Sequence, residues 1–178
     1  LANASNMTFG VQPGATVHLP SLVTQTEGAY DIPAGATIDA PMLASLTSSA
    51  ISLTTGAFTA PVLANLDNTT VSVGSGGTFS ASDAIYNTNM SYGGTRVQFS
   101  SDGQGSLIDL SGTTSYVING NFGGAQVHQI RATNNGAIDL SGMSSVSVNA
   151  EAQDRLEFVA QSGGRIDLTG LQSISGLT

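Results

Sequence analysis

The chain has 178 residues, of which 40% are apolar and only 9% charged, and its net charge is −8. That length suits one domain with a continuous core, and ordered recurrence of the apolar residues argues against disorder. Twelve acids face four arginines (Arg96, Arg131, Arg155 and Arg165) and no lysine, which excludes nucleic acid as a partner, because cationic groups supply most of that affinity.

Cysteine is absent, so disulfides and thiolate metal sites are excluded while the compartment stays open. No apolar run approaches the roughly 18 residues that a membrane span needs, so membrane insertion is not expected. The chain opens at Leu1 without methionine and closes at Thr178 just as a further motif begins. The expectation is a piece of a longer protein whose targeting signals and neighbouring domains lie elsewhere.

Residues 1–13 read as a partial coil or an N-terminal cap. From residue 14 a motif recurs: Gly14-Ala-Thr-Val-His-Leu-Pro, Gly35-Ala-Thr-Ile-Asp-Ala-Pro and Gly56-Ala-Phe-Thr-Ala-Pro. Val17, Ile38, Phe58 and Phe79 are spaced by 21, 20 and 21 residues. Pro20, Pro41 and Pro61 keep the same steps, as do Leu22, Leu43 and Leu63. A further column is Tyr30, Ile51 and Val71, with Ile32, Leu53 and Val73 two places on. Positions two apart share one face of a strand, which sends these pairs inward and Asp31, Ser52 and Ser72 outward. Proline cannot donate a ladder bond and marks the corner.

Residues 14–76 therefore predict short-period coils, and residues 77–178 longer ones. The later motifs are Gly105-Ser-Leu-Ile-Asp-Leu-Ser-Gly, Gly136-Ala-Ile-Asp-Leu-Ser-Gly and Gly164-Arg-Ile-Asp-Leu-Thr-Gly. Val97/Phe99, Val127/Ile130 and Leu156/Phe158 predict the inward strand that precedes the next turn. Extra residues at 83–94 and 119–124 read as protruding loops, where solenoids place function. The whole predicts one continuous all-β domain, a parallel β-helix of six to seven coils with three short strands each. At about 4.8 Å per coil the rod would be roughly 30–35 Å long.

The segments Gly-Ala-Ile-Asp-Leu-Ser-Gly-Met (136–143) and Gly-Gly-Arg-Ile-Asp-Leu-Thr-Gly-Leu (163–171) resemble repeats of very large bacterial surface proteins. These are the β-strand-repeat or filamentous-adhesin-like proteins abundant in planctomycetes and related aquatic bacteria. The resemblance runs over residues 14 to 178 and implies an extracellular, right-handed parallel β-helix. It carries no catalytic residues across.

Asp109, Asp139 and Asp167 occupy one position of successive coils and predict an outward carboxylate ladder. Stacked like charges about 5 Å apart repel, so either a hard cation such as calcium bridges them or Ser111, Ser141, Thr169 and Arg165 satisfy them. Asn119 and Asn149 predict a column of stacked amides. His128 counts level with Val97 and Leu156, an inward site. His18 reads as exposed, four coils away, so the two histidines cannot share a metal. Glu151, Asp154, Arg155 and Glu157 read as a solvated cluster.

Polysaccharide lyases and galacturonases also use β-helices, but their chemistry needs clustered carboxylates with a base in one cleft. Here the arginines are dispersed and no such segment occurs, so no catalytic residue is expected. Thr54-Thr55, Thr69-Thr70 and Thr113-Thr114 do not share a column, which argues against an ice-binding array. The expected role is a non-catalytic structural or adhesive stalk at the cell surface, with a surface glycan or a protein as partner and no required cofactor. One alternative is a carbohydrate-binding or polysaccharide-processing β-helix that uses Tyr86, Tyr92 and Phe122 on the loops. Another is a protein-binding repeat scaffold.

Overall fold

The structure is a computed structural model and describes residues 2–83, 85–89, 94–119, 126–149 and 155–176. Among these residues there is no helix, and so none long and apolar enough to cross a membrane. In chain order the first coil holds β1 (Asn3–Ser5), β2 (Thr8–Gly10) and β3 (Thr16–His18). The second holds β4 (Thr24–Thr26), β5 (Ala29–Ile32) and β6 (Thr37–Asp39), and the third β7 (Ser45–Thr47), β8 (Ala50–Thr54) and β9 (Ala57–Thr59). The fourth has β10 (Thr70–Gly74) and β11 (Thr78–Ser80), with Asn65 bridging to Ser45 where a further strand would lie. The fifth has β12 (Ile85–Asn89), β13 (Gly94–Asp102) and β14 (Leu107–Asp109). The sixth has β15 (Ser115–Asn119), β16 (Gln126–Thr133) and β17 (Ala137–Asp139). The seventh has β18 (Ser145–Asn149), β19 (Arg155–Gln161) and β20 (Arg165–Asp167), and β21 (Ser173–Ser175) begins an eighth.

Each strand pairs in parallel with its counterpart one coil away, never with its sequence neighbour. That is the mark of a solenoid, and the fold is a parallel β-helix with three faces. Face two is a seven-stranded sheet from β2 to β19, and face three a seven-stranded sheet from β3 to β20. Face one is split into a three-stranded sheet, β1-β4-β7, and a four-stranded sheet, β12-β15-β18-β21. Residues 3–10 thus pair in register with the second coil, Ala4 beside Gln25 and Phe9 beside Tyr30.

Alternation decides which side chains enter the core. Tyr30, Ile32, Ile51, Leu53, Val71 and Val73 are buried, whereas Asp31, Ser52 and Ser72 between them are exposed. Ile38, Phe79, Ile108 and Ile138 line face three from within, and Leu46, Leu66, Tyr86, Tyr116 and Val146 line face one. Burying one such side chain is worth about 1.5–3 kcal/mol, and only stacking covers both sides of each coil. Phe9 stacks on Tyr30 at 5.1 Å, and Tyr86 lies 4.9 Å from Phe99 and 5.0 Å from Tyr116. At the two ends, where one neighbour is missing, Phe9 and Val17 or Phe158 and Ile166 are only half-buried.

The corner between faces three and one is a hydrogen-bonded turn. Leu22, Leu43 and Leu63 donate their N–H to Leu19, Ala40 and Ala60, with Pro20, Pro41 and Pro61 second in each turn. Proline's fixed φ suits that position. In the later coils Thr113, Met143 and Leu171 close the same turn over Ser111-Gly112, Ser141-Gly142 and Thr169-Gly170.

One element differs from the sequence expectation. The stretch 83–94, expected to be a protruding loop, contains strand β12, which pairs residue for residue with β15. Its polar composition, Ile-Tyr-Asn-Thr-Asn, hides the alternation because the inward partner of Tyr86 is Thr88. The added length of the later coils enters after β12, β15 and β18, at the corner between faces one and two.

Candidate functional site

The carboxylate ladder forms as expected: Asp109 aligns with Asp139 and Asp139 with Asp167 on the outside of face three. Each carboxylate is used locally. Asp109 Oδ1 accepts from the Ser111 N–H at 3.0 Å and the Ser111 hydroxyl at 2.7 Å, and Asp139 Oδ1 from the Ser141 N–H at 2.9 Å. Asp167 accepts from the Thr169 N–H at 3.1 Å and, at 2.6 Å, from the Arg165 guanidinium. The Thr169 bonds foremost, then Arg165, hold the Asp167 carboxyl below its ordinary range. Each aspartate thus caps the turn behind it. Among the described residues no group of three or more His, Cys, Asp or Glu is placed to hold a metal ion.

Tyr86 is not a loop aromatic. It is 1% exposed on β12, its ring packed between Phe99 and Tyr116, and burial pushes its hydroxyl pKa well up. The inward period that places Leu46 and Leu66 there draws Tyr86 into the core, so it offers no face to a glycan. Tyr92 and Phe122, with Glu151 and Asp154, lie outside the described residues. Of the acidic cluster the described part is Glu157, which accepts from Gln129 at 2.8 Å and pairs with Arg155 at 2.7 Å. Those two bonds, Gln129 first, lower its pKa. Asn119 and Asn149 align in register, with Asn89 a coil further back.

His128 points inward and is 1% exposed, as expected. It aligns with Leu156 but with Arg96 rather than Val97, because Gln98 is an extra residue that forms a bulge in β13. His18 lies outside on β3, five coils from β16, and meets Asp39 at 3.2 Å.

These buried polar groups belong to a feature that sequence reasoning missed: a spine inside the corner between faces one and two. Gln25 donates to the Met7 carbonyl at 2.8 Å and accepts from the Tyr30 hydroxyl. One coil on, Ser49 Oγ accepts from Gly28 N–H at 2.9 Å and donates to Thr47 O at 2.8 Å. Thr69 Oγ1 accepts from Ser49 N–H at 3.3 Å and donates to Leu46 O at 2.8 Å. The Tyr86 hydroxyl lies 2.9 Å from Thr69 O and 3.0 Å from Gln98 Oε1, and Gln98 Nε2 lies 3.3 Å from His128 Nδ1. With the Gln98 amide donating, His128 Nδ1 accepts and the neutral ring carries its proton on Nε2. The signal available in the sequence was faint: Gln25, Ser49 and Thr69 come from successive coils but share no residue type and no common column, since Gln25 aligns with Leu46.

A second polar device joins the two halves of face one. Asp83, 4% exposed, accepts from the Leu66 N–H at 2.8 Å and the Ile85 N–H at 3.1 Å. Asp67 Oδ1 accepts from the Asn87 N–H at 2.7 Å and its side-chain amide at 3.1 Å. Two carboxylates therefore stand in for ladder bonds between coils four and five. Burial above all raises the pKa of Asp83, against the two N–H bonds that lower it. Just outside lies a groove of about 320 Å³ bordered by Pro61, Ser82, Asp109 and Gly112. It forms where the step from Phe79 to Tyr86 is one residue shorter than that from Phe58 to Leu66.

No protein-family model matches the chain, and neither the curated proteins nor the solved structures give a match to it.

Proposed function

We propose that the chain is a non-catalytic structural or adhesive stalk segment of a large extracellular bacterial protein, working as a stiff spacer. The observation that carries this is the combination of continuous parallel sheets on faces two and three with a hydrogen-bonded spine inside the corner between faces one and two. Separating two coils by bending breaks backbone bonds on three faces together, so the rod resists flexing. The outer positions of face one, among them Asn3, Thr24, Thr26, Ser45 and Thr47, are small and uncharged, which suits weak, repeated contacts with a surface glycan or protein. Carbohydrate recognition by loop aromatics is the weaker reading, because Tyr86 is packed inside the core.

The test uses the absence of cysteine. Thr16 and Arg165 occupy one outer column six coil steps apart. Spin labels at Thr16→Cys and Arg165→Cys should report one narrow distance, with backbones about 29 Å apart at about 4.8 Å per step. A broad or bimodal distribution would overturn the stiff-spacer reading. Specific binding of the wild-type chain to a glycan array would instead favour the carbohydrate reading.

A further inference from the structure

The corner between faces three and one changes height at the seam. Its early turns carry Pro20, Pro41-Met42 and Pro61-Val62, and its late ones Ser111-Gly112, Ser141-Gly142 and Thr169-Gly170. Met42 and Val62 stand in matching turns of neighbouring coils and are 54% and 47% exposed. This apolar ridge stops where the shortened corner leaves out a residue, and beyond it the exposed Gly112 presents no side chain. The step is the groove of about 320 Å³, walled by Ala60, Pro61 and Ala81 and by the polar Ser80, Ser82 and Asp109. Scattered exposed apolar side chains mean little, but an apolar ridge running into a groove marks a contact surface.

The charge at the groove says what kind of group enters it. Asp109 bonds Ser111 through Oδ1 alone and, among the described residues, pairs with no cation. Asp167, two coils along the same column, holds the Arg165 guanidinium at 2.6 Å, so a cation fits beside a carboxylate at this position. In the coil of Asp109 the residue matching Arg165 is Leu107. The chain has no lysine and a net charge of −8, so a cation for Asp109 has to come from outside. A groove near the ~300 Å³ lower bound of ligand sites takes one long side chain rather than a sugar chain. Apolar walls with a carboxylate among them suit an arginine or lysine, whose stem is apolar and whose head is charged.

We propose that this step is a docking site for a basic segment of a protein partner, which sets an arginine or lysine into the groove against Asp109 and an apolar neighbour on the Met42–Val62 ridge. The assignment is independent of the stiff-spacer reading, since peptide binding tests one and spin-label distances test the other.

The experiment is selection of phage-displayed random linear peptides on the wild-type chain, followed by titration of the enriched peptide against variants. Enriched peptides should carry arginine or lysine beside an apolar residue. Met42→Ser combined with Val62→Ser should weaken binding about tenfold, equivalent to about 1.4 kcal/mol. Asp109→Asn keeps an oxygen for Ser111 but loses the charge, and should weaken binding about two- to fivefold at low salt, the scale of an exposed ion pair, while reducing the salt dependence. All three substitutions are at outward positions, and unchanged thermal melts would show that the fold is intact. No enrichment, a consensus without a basic residue, or equal affinity for wild type and both variants would overturn the proposal. So would sedimentation showing a dimer of the wild-type chain that the double serine variant abolishes, because the ridge would then serve a second copy.

Discussion

The first four coils and the last three share one cross-section and differ at one corner. In the early coils the chain turns from face one to face two through a single residue of positive φ: Asn6, Glu27, Ser48 and Asn68, with φ between 50° and 58°. Each donates its N–H one coil on, to Thr26, Thr47, Asp67 and Asn87, so the corner is part of the ladder. The path from Leu46 to Ile51, or from Leu66 to Val71, takes five positions. In the later coils the path from Tyr116 to Ile130 takes fourteen, and that from Val146 to Phe158 twelve. Elsewhere the spacing barely changes: Tyr30 to Ile38 and Ile130 to Ile138 are both eight positions. A solenoid can therefore accept length at one corner without disturbing its core, provided that something repairs the seam where the two regimes meet.

That seam yields the largest predicted effect. If Asp83 replaces ladder bonds between the halves, Asp83→Ala strands the buried N–H of Leu66 and the partly exposed N–H of Ile85. Leaving a buried donor unpaired costs roughly 1–3 kcal/mol, and a partly exposed one less because water can reach it, so a loss of about 2–3 kcal/mol is expected in denaturant unfolding. Asp83→Asn keeps one carbonyl oxygen and should lose less. If the two halves unfold separately in Asp83→Ala while the wild-type chain unfolds in one step, the comparison sharpens into two cooperative units. An unchanged midpoint would mean that the seam needs no carboxylate.

The turn between faces three and one offers the next test, since its chemistry changes from Pro-X in the early coils to Ser-Gly or Thr-Gly in the late ones. Gly142 and Gly170 are required by close approach rather than by φ: an added Cβ would sit 2.1 Å from Ser111 O and 2.3 Å from Ser141 O. Gly112 follows coil four, whose corner is a residue shorter, and there the nearest atom is 3.4 Å away. Gly142→Ala should cost about 1–3 kcal/mol, typical of overpacking, and Gly112→Ala less than about 0.5 kcal/mol. Equal losses in thermal melts would show that these glycines act through backbone freedom and not through coil spacing.

The inward columns were legible because Tyr30, Ile51 and Val71 recur at a fixed period and alternate with polar residues, a pattern that only a shared interior explains. The Asp109–Asp139–Asp167 register was legible for the same reason. Strand β12 was not, because Thr88 is buried where an apolar residue is expected. Nor was the spine: Gln25, Ser49, Thr69 and Gln98 each look like surface residues, and their partners lie up to 30 positions away. The Gln98 bulge also shifted His128 by one place relative to Val97, since counting from the following motif assumes a regular ladder. Polar groups satisfied across coils leave no local trace in a sequence.

The smallest effect is in the response to pH, and it separates the halves once more. The carboxyls with lowered pKa all belong to the later coils: Asp102, held by Thr133 at 2.5 Å and by Asn134 at 2.8 Å, then Glu157 and Asp167. A lowered folded-state pKa means that the unfolded chain binds more protons, so these groups stabilise above the ordinary carboxylate range and that contribution fades as pH falls through their folded values. Asp83 at the seam has the opposite sign. Its raised pKa means that the folded chain holds the proton more tightly, which favours folding at low pH and is lost as pH rises through its folded value. The stability of the wild-type chain relative to Asp83→Asn should therefore decline as pH climbs from the ordinary aspartate value of about 3.9, and level off once Asp83 is ionised. Relative to Asp102→Asn it should grow over the rise to that same value. Parallel curves for the two variants would show that the seam and the later coils titrate alike, and would remove the electrostatic part of the contrast between them.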